Sequence, residues 1–298
     1  MTAERPCPPP DPAPRPAGFA VPPGACDCHV HVFGPAERYP YGAERSYTPP
    51  DAPPDALLAL QDALGLQRAV VVQASVHGTD NRAVLDAVAR APGRFRGVAA
   101  VGADVTNADL ARLHEGGVRG LRINLVDRGG MSFGSLDDVV EVGARIRDYG
   151  WHLEFLAPVE EMKDLQGLLA RLPVPAVFGH LGYTPAAKGV GHPGFRRFLG
   201  LLREGGVWVK LTGPYRISGE TRPPYRDLLP FAEALLVAAP ERVVWGSDWP
   251  HVVQVKPMPN DGDLLDLLAV WAPDEALRRR ILVDNPAELY GFRTEEEE

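Results

Sequence analysis

Two histidines one residue apart, His29 and His31, sit in the run Asp27-Cys28-His29-Val30-His31-Val32-Phe33, which Gly34-Pro35 closes. In a strand, side chains two apart share a face, so both imidazoles point the same way. A run stopped by Gly-Pro places them at a strand end, where barrel enzymes keep their chemistry. Two chemistries suit the pair: half of a metal site, or a metal-free site that polarises a substrate by hydrogen bonding. A chance pair of satisfied histidines is the bland alternative.

The elements that must hold this pair form a regular alternation. Short apolar runs fall at 25–33, 68–75, 95–101, 118–126, 151–157, 176–181, 207–212 and 242–248, with helical segments between them at 80–91, 108–115, 136–149, 159–172, 195–204 and 226–239. In the segment 80–91, Ala83, Val84, Ala87 and Val88 make a helical stripe, with Asp80 expected as its N-cap. Eight strand–helix units without a linker predict an α/β fold, a single (β/α)8 TIM-like barrel over residues 24–293. A doubly wound open sheet is the alternative, but no Gly-rich phosphate loop follows the first strand. Residues 1–23 are proline-rich and read as an extended, mobile arm; residues 294–298 read as an acidic tail.

Composition narrows the class. A chain of 298 residues with 45% hydrophobic and 23% charged side chains suits a globular enzyme. The net charge of −8 argues against a nucleic-acid or anionic-membrane partner. No stretch is long enough to span a bilayer, and the N-terminus does not resemble a secretory signal. Cys7, Cys26 and Cys28 are an odd set, with two too close for an easy bridge, so a reducing, cytoplasmic setting is expected. Monomer and homo-oligomer are both compatible with the sequence.

A barrel collects its chemistry at the C-terminal ends of its strands, and polar residues gather there. The first strand ends in His29 and His31, followed by a loop with Tyr47; the second leads to Ser75 and His77. The fourth carries Arg122 and leads to Arg128, and the fifth holds Glu154. His180 and Tyr183 follow the sixth, Lys210 and then Tyr215-Arg216 mark the seventh, and Asp248 and His251 end the eighth.

This conjunction, with Gln73-Ala74-Ser75, His77-Gly78-Thr79-Asp80-Asn81, Trp245-Gly246-Ser247-Asp248-Trp249-Pro250-His251 and Leu282-Val283-Asp284-Asn285-Pro286, resembles the amidohydrolase superfamily, specifically its metal-independent lactonase branch. The resemblance runs from about Cys26 to Tyr290. It implies that His29, His31 and His180 surround a lactone carbonyl and that Asp248 handles the hydrolytic water. It also implies that Tyr47, Ser75, Arg122, Arg128 and Arg216 contact the substrate or its carboxylates; Tyr183 and His251 are further candidate contacts. The chemistry is coherent: ester hydrolysis needs a polarised carbonyl, a deprotonated water and a proton for the leaving oxygen. Imidazoles can donate to an oxyanion, Asp248 can take the water's proton once burial raises its pKa, and guanidinium matches carboxylate in a fork.

Two departures separate this chain from the dicarboxylate lactonases. Tyr183 stands where they carry Arg, and Val252-Val253 where they carry Pro-Asn. A lactone with fewer carboxylates, or a bulkier apolar acid stacked on Tyr183, is therefore the expected substrate. His29, His31, His180 and Asp248 would equally make a mononuclear Zn2+ set, so a zinc-dependent hydrolase or decarboxylase is the alternative. The seventh strand offers Lys210 and Thr212 but no His, which weighs against decarboxylation, and Arg122 stands where a binuclear centre would need a carboxylated Lys. The resemblance favours a metal-free site. A non-catalytic barrel that only binds a lactonic acid is the reading from another class.

Overall fold

The computed structural model describes residues 5–43, 45–127 and 133–293. The eight expected strands are present: β1 Cys26–Val30, β2 Arg68–Val72, β3 Phe95–Ala99, β4 Val118–Asn124, β5 His152–Leu156, β6 Ala176–Phe178, β7 Val207–Leu211 and β8 Val243–Trp245. All pair in parallel, each with its neighbour in chain order, in one eight-stranded sheet that curls into a nearly closed barrel. Strands covered on both faces need apolar residues at successive positions rather than in alternation. The buried run Ala69-Val70-Val71-Val72 meets that need.

The barrel closes through its chemistry. β8 and β1 form no ladder; one parallel bridge joins Val30 to Trp249. Asp248 N–H donates to His29 O at 2.9 Å and His31 N–H to Trp249 O at 2.8 Å. The buried Asp27 carboxylate stitches the same seam, with Oδ1 accepting from Ser247 N at 3.0 Å and His29 N at 3.1 Å. Burial pushes its pKa up to about 7, against the lowering effect of the Ser247 and His29 donors.

Two packed layers follow from the parity of the strands. Cys26, Cys28, Val70, Val72, Val98, Val177, Trp208 and Val244 form one buried cluster with Tyr290 and Phe292, residues of the C-terminal segment. The opposite faces join the helices in the larger core. A register shift in β1 between Asp27 and Val30 breaks the alternation, as a bulge does. It brings His29, of opposite parity to Cys28, within reach of Lys210.

The helices are α1 Pro54–Leu64, α2 Arg82–Arg90, α3 Asn107–Glu115, α4 Leu136–Ile146, α5 Leu165–Arg171, α6 Pro193–Glu204, α7 Leu229–Ala238 and α8 Asp261–Trp271, followed by short helical turns over 275–290. Two expectations change. Asp80 does not cap α2 in the ordinary sense: Asn81 holds the cap position, and Asp80 pairs with Arg82. The helix expected over 159–172 shortens to α5, which starts where Asp164 accepts from Gly167 N–H. The proline-rich segment is tied to the barrel at several points. Arg5–Pro6 pairs with Tyr47–Thr48, Arg15 N–H donates to Asn260 Oδ1, and Gly18 N–H donates to Asp266 Oδ1. The acidic tail, 294–298, lies outside the described residues.

Candidate active site

The three histidines and the aspartate singled out in the sequence meet at the rim. His29 Nε2 and His31 Nε2 lie 3.6 Å and 3.7 Å from Asp248 Oδ1, and the His29 and His180 rings meet edge to face with centroids 5.3 Å apart. All four residues are buried. The backbone holding them is strained. Of the seven non-glycine residues at positive φ among the described residues, six lie in the loops after β6 and β8: His180, Leu181, Tyr183, Asp248, His251 and Val253. Each such residue costs on the order of 1 kcal/mol, so the rest of the fold must hold these loops in place. Gly213 is needed for closeness, since a Cβ there would lie 2.5 Å from His180 Nδ1 and 3.0 Å from Asp248 Oδ2.

Asp248 has one committed oxygen and one open oxygen. Oδ2 accepts from Arg216 Nε at 2.7 Å and from the Tyr215 hydroxyl at 2.5 Å. Oδ1 is buried with no hydrogen-bond partner. Burial alone would raise this carboxyl, as expected from the sequence. Arg216 and the surrounding histidines outweigh it and hold the pKa well below the usual carboxylate range. Asp248 is therefore an ionised carboxylate.

The imidazoles are not equivalent. His31 Nδ1 is 2.8 Å from Val72 O and His180 Nδ1 is 3.3 Å from Thr212 O. A carbonyl accepts, so in both rings Nδ1 carries a proton, and in the neutral His180 ring Nε2 is a bare lone pair. Burial pushes His180 down to about 3 against the pull of Asp248, with Arg216 and Arg122 adding to the fall. His29 has the other tautomer. Two groups that only donate flank its ring, the Lys210 ammonium 3.4 Å from Nδ1 and the Arg122 guanidinium 3.5 Å from Nε2; the Asp248 Oδ1 acceptor 3.6 Å from Nε2 places the ring proton on Nε2. Burial, Lys210 and Arg122 hold its pKa well below the ordinary histidine value. The rings thus differ in what they can offer, His29 an Nε2–H and His180 an Nε2 lone pair.

Below the rim lies a second charged group. Lys210 donates to Glu154 Oε2 and to Cys28 O, each at 2.7 Å. Glu154 Oε1 accepts from the Tyr290 hydroxyl at 2.7 Å and faces His152 Nε2 at 3.2 Å.

Above it is a tight cavity of about 20 Å3, room for about one water. Tyr47, Ser75, Arg122 and Arg216 line it as anticipated, with Val252 and Val253 as an apolar wall. Arg122 has no carboxylate partner among the described residues. Its one polar contact is His29 Nε2 at 3.5 Å, and its Nε is buried and unsatisfied. Arg216 is different, because Nε is held by Asp248 and Nη2 by Val252 O at 3.1 Å. Tyr183 packs on His180 with centroids 5.7 Å apart but is not part of the pocket lining. His251 is fully buried behind Tyr215 rather than in the pocket. Arg128 lies outside the described residues. Sequence reasoning noted Tyr215 and Lys210 without giving either a role. The signal was present in Tyr215-Arg216 after the seventh strand, but their partners are 33 and 181 residues away.

A parallel barrel with its polar groups at the strand ends defines a TIM-barrel site of hydrolase type. Within that class the chain belongs to the amidohydrolase family, whose Amidohydro_2 model matches residues 26–292. It is 42% identical over 281 residues to a 2-pyrone-4,6-dicarboxylate hydrolase of Comamonas testosteroni, covering 91% of this chain and 92% of the relative. It is also 42% identical to a 4-sulfomuconolactone hydrolase of Hydrogenophaga intermedia, covering 93% and 92%. An apo crystal structure of an Agrobacterium tumefaciens protein superposes with a TM-score of 0.84 at 30% identity, covering 93% of this chain and 99% of that one.

Proposed function

We propose that this protein is a hydrolase that opens a small carboxylated lactone, acting on the ester bond without a metal. The observation that carries the reading is the open Oδ1 of an ionised Asp248, set in a small pocket beside the unpaired guanidinium of Arg122. The two 42% identical hydrolases of lactone or pyrone substrates support it.

The roles follow from the donors and acceptors. Asp248 Oδ1 takes the proton of the attacking water, and the bare Nε2 of His180 orients that water's other hydrogen, with His31 Nε2 beside Oδ1 at 3.7 Å. The His29 Nε2–H and the Arg122 guanidinium converge within 3.5 Å, where the carbonyl oxygen of the lactone would accept from both as charge develops. Asp248 then returns its proton to the leaving oxygen. With Arg216 committed to Asp248, Arg122 supplies the main anionic contact. Val252 and Val253 suit a ring with fewer charges than a dicarboxylate.

Zinc is the second reading, because His29, His180 and Asp248 each bring one ligand atom within 4.8 Å of the others. The donor set fits poorly. A zinc-bound imidazole donates its other nitrogen to an acceptor, whereas the other nitrogen of His29 faces an ammonium. Arg122 and Arg216 add two positive charges beside the ligand atoms, which disfavours a dication. Among the described residues, no helix is long and apolar enough to cross a membrane. The three free thiols support a reducing, cytoplasmic setting.

A panel of lactones including 2-pyrone-4,6-dicarboxylate, 4-sulfomuconolactone and monocarboxylated rings, assayed with zinc and with chelator, tests the proposal. Ring opening unaffected by chelator is expected. Near-stoichiometric bound zinc, with activity lost on chelation and restored by the metal, would establish the zinc reading instead. Binding without ring opening would leave a non-catalytic barrel.

A further inference from the structure

Behind Asp248 runs a chain of buried polar groups that the reaction above does not use. The Tyr215 hydroxyl touches Asp248 Oδ2 at 2.5 Å and His251 Nδ1 at 3.1 Å. His251 Nε2 lies 3.0 Å from Asp261 Oδ1, and Asp261 is the first residue of α8. Tyr215, His251 and Asp261 are all at most 3% exposed.

Counting hydrogens fixes the direction of the chain. Asp248 is ionised and can only accept, so the single hydroxyl proton of Tyr215 points to Oδ2. The tyrosine oxygen then faces His251 as an acceptor, and Nδ1 must carry a proton. With Nδ1 protonated, one further proton lies between Nε2 and Asp261, since two bare acceptors 3.0 Å apart would repel. The positive end of α8 suits the Asp261 carboxylate of that pair. Each link has one allowed donor, so the carboxylate is held in one rotation.

We propose that Tyr215, His251 and Asp261 form a positioning relay that locks Asp248 Oδ2 onto the barrel and leaves Oδ1 as its free face for the water. The proposal rests on Asp248 being the base of a lactone hydrolase. Tyr215 is a positioning residue that acts on Asp248, and His251 acts through Tyr215. Arg216 contributes the charge that keeps Asp248 ionised, whereas the relay contributes direction. Without Tyr215, the carboxylate could turn about its bond to Arg216 and point both oxygens away from the pocket for part of the time.

The test is a double-mutant cycle on the full chain. Tyr215→Phe should lower kcat about tenfold to a hundredfold, the range for one hydrogen bond to a charged group, while KM moves by less than about threefold. His251→Leu should lose a similar factor. The double variant should be no worse than about twofold below the weaker single, because both act along one path. His251→Asn, whose amide can replace the Nδ1 donor, should recover most of what His251→Leu loses. Losses that multiply in the double variant, or an unchanged kcat in Tyr215→Phe, would overturn the relay. A readout independent of turnover is NMR of 15N-labelled histidine, in which His251 Nδ1 of the wild type should carry a proton. A bare Nδ1 would equally overturn the proposal. A wild type with the protonated Nδ1 that opens no lactone would instead remove the hydrolase reading and leave the relay standing.

Discussion

Glu154 and Asp248 are both buried carboxylates in one barrel, both held low in pKa by nearby cations, yet they have opposite characters. Glu154 is closed, with Lys210 on one oxygen and Tyr290 and His152 on the other. Lys210 is equally spoken for, by Glu154, Cys28 O and His29. Asp248 has two donors on Oδ2 and none on Oδ1. Complete satisfaction makes a charge structural, and one unsatisfied atom facing a pocket makes it reactive.

The sharpest way to break this contrast is to neutralise each carboxylate in turn. Asp248→Asn should lower kcat about 10²–10⁴-fold, the contribution of a general base, with a smaller loss of stability, because Arg216, which loses its carboxylate, is partly exposed and keeps Val252 O. Glu154→Gln should do the reverse, leaving Lys210 buried and unpaired at a cost of roughly 3–5 kcal/mol, read as a lower urea midpoint. If Glu154→Gln abolished turnover at unchanged stability, the division between structural and reactive carboxylates would fail.

A smaller effect is expected at Arg122. Arg122→Gln removes the guanidinium without its partner, since no carboxylate holds it. KM for an anionic lactone should rise about tenfold to a hundredfold, the worth of a charge-assisted contact, and thermal stability should hold or improve. Because Arg122 also faces the carbonyl position, kcat should fall as well; equal weakening towards an uncharged lactone would show that it serves the carbonyl alone.

The smallest and broadest effect is on pH. His180 is held at about 3 against an ordinary 6.5. Between those values the unfolded chain binds a proton that the folded one refuses. Stability should therefore be full above about 6.5 and fall as the pH drops towards 3, by up to about 1.4 kcal/mol per unit from this residue. His180→Asn should flatten that slope in urea titrations between pH 4 and 6, a window lying inside the two values. An unchanged slope would mean that the folded His180 accepts the proton.

The barrel was legible in the sequence because strands buried on both faces must be apolar throughout. The run Arg68-Ala-Val-Val-Val shows this with no tertiary information. His29, His31, His180 and Asp248 were legible because strand-end position alone brings such groups to one rim. Their tautomers were not, because His29 is set by Lys210 at a separation of 181 residues. The low pKa of Asp248 was hidden for the same reason. Local sequence shows that a carboxylate is flanked by apolar residues, but not that Arg216 reaches it. The neighbours of His251 were also hidden, because its ring meets Tyr215 from the seventh-strand loop and Asp261 from α8, contacts that local sequence does not show.

The seam between β8 and β1 gives this enzyme a built-in integrity sensor. Its first and last strands meet through Asp248 N–H on His29 O and His31 N–H on Trp249 O, so a molecule whose ends have parted retains nearly all its helices and strand pairs and has no active site. During heating or denaturant titration, turnover should vanish at the first parting of the seam, ahead of circular dichroism. The same arithmetic guides circular permutation. New termini on the far side of the ring, between β4 and β5, would leave the seam covalently continuous, placing the chain's own connection where the fold has two backbone hydrogen bonds, a bridge and the Asp27 contact.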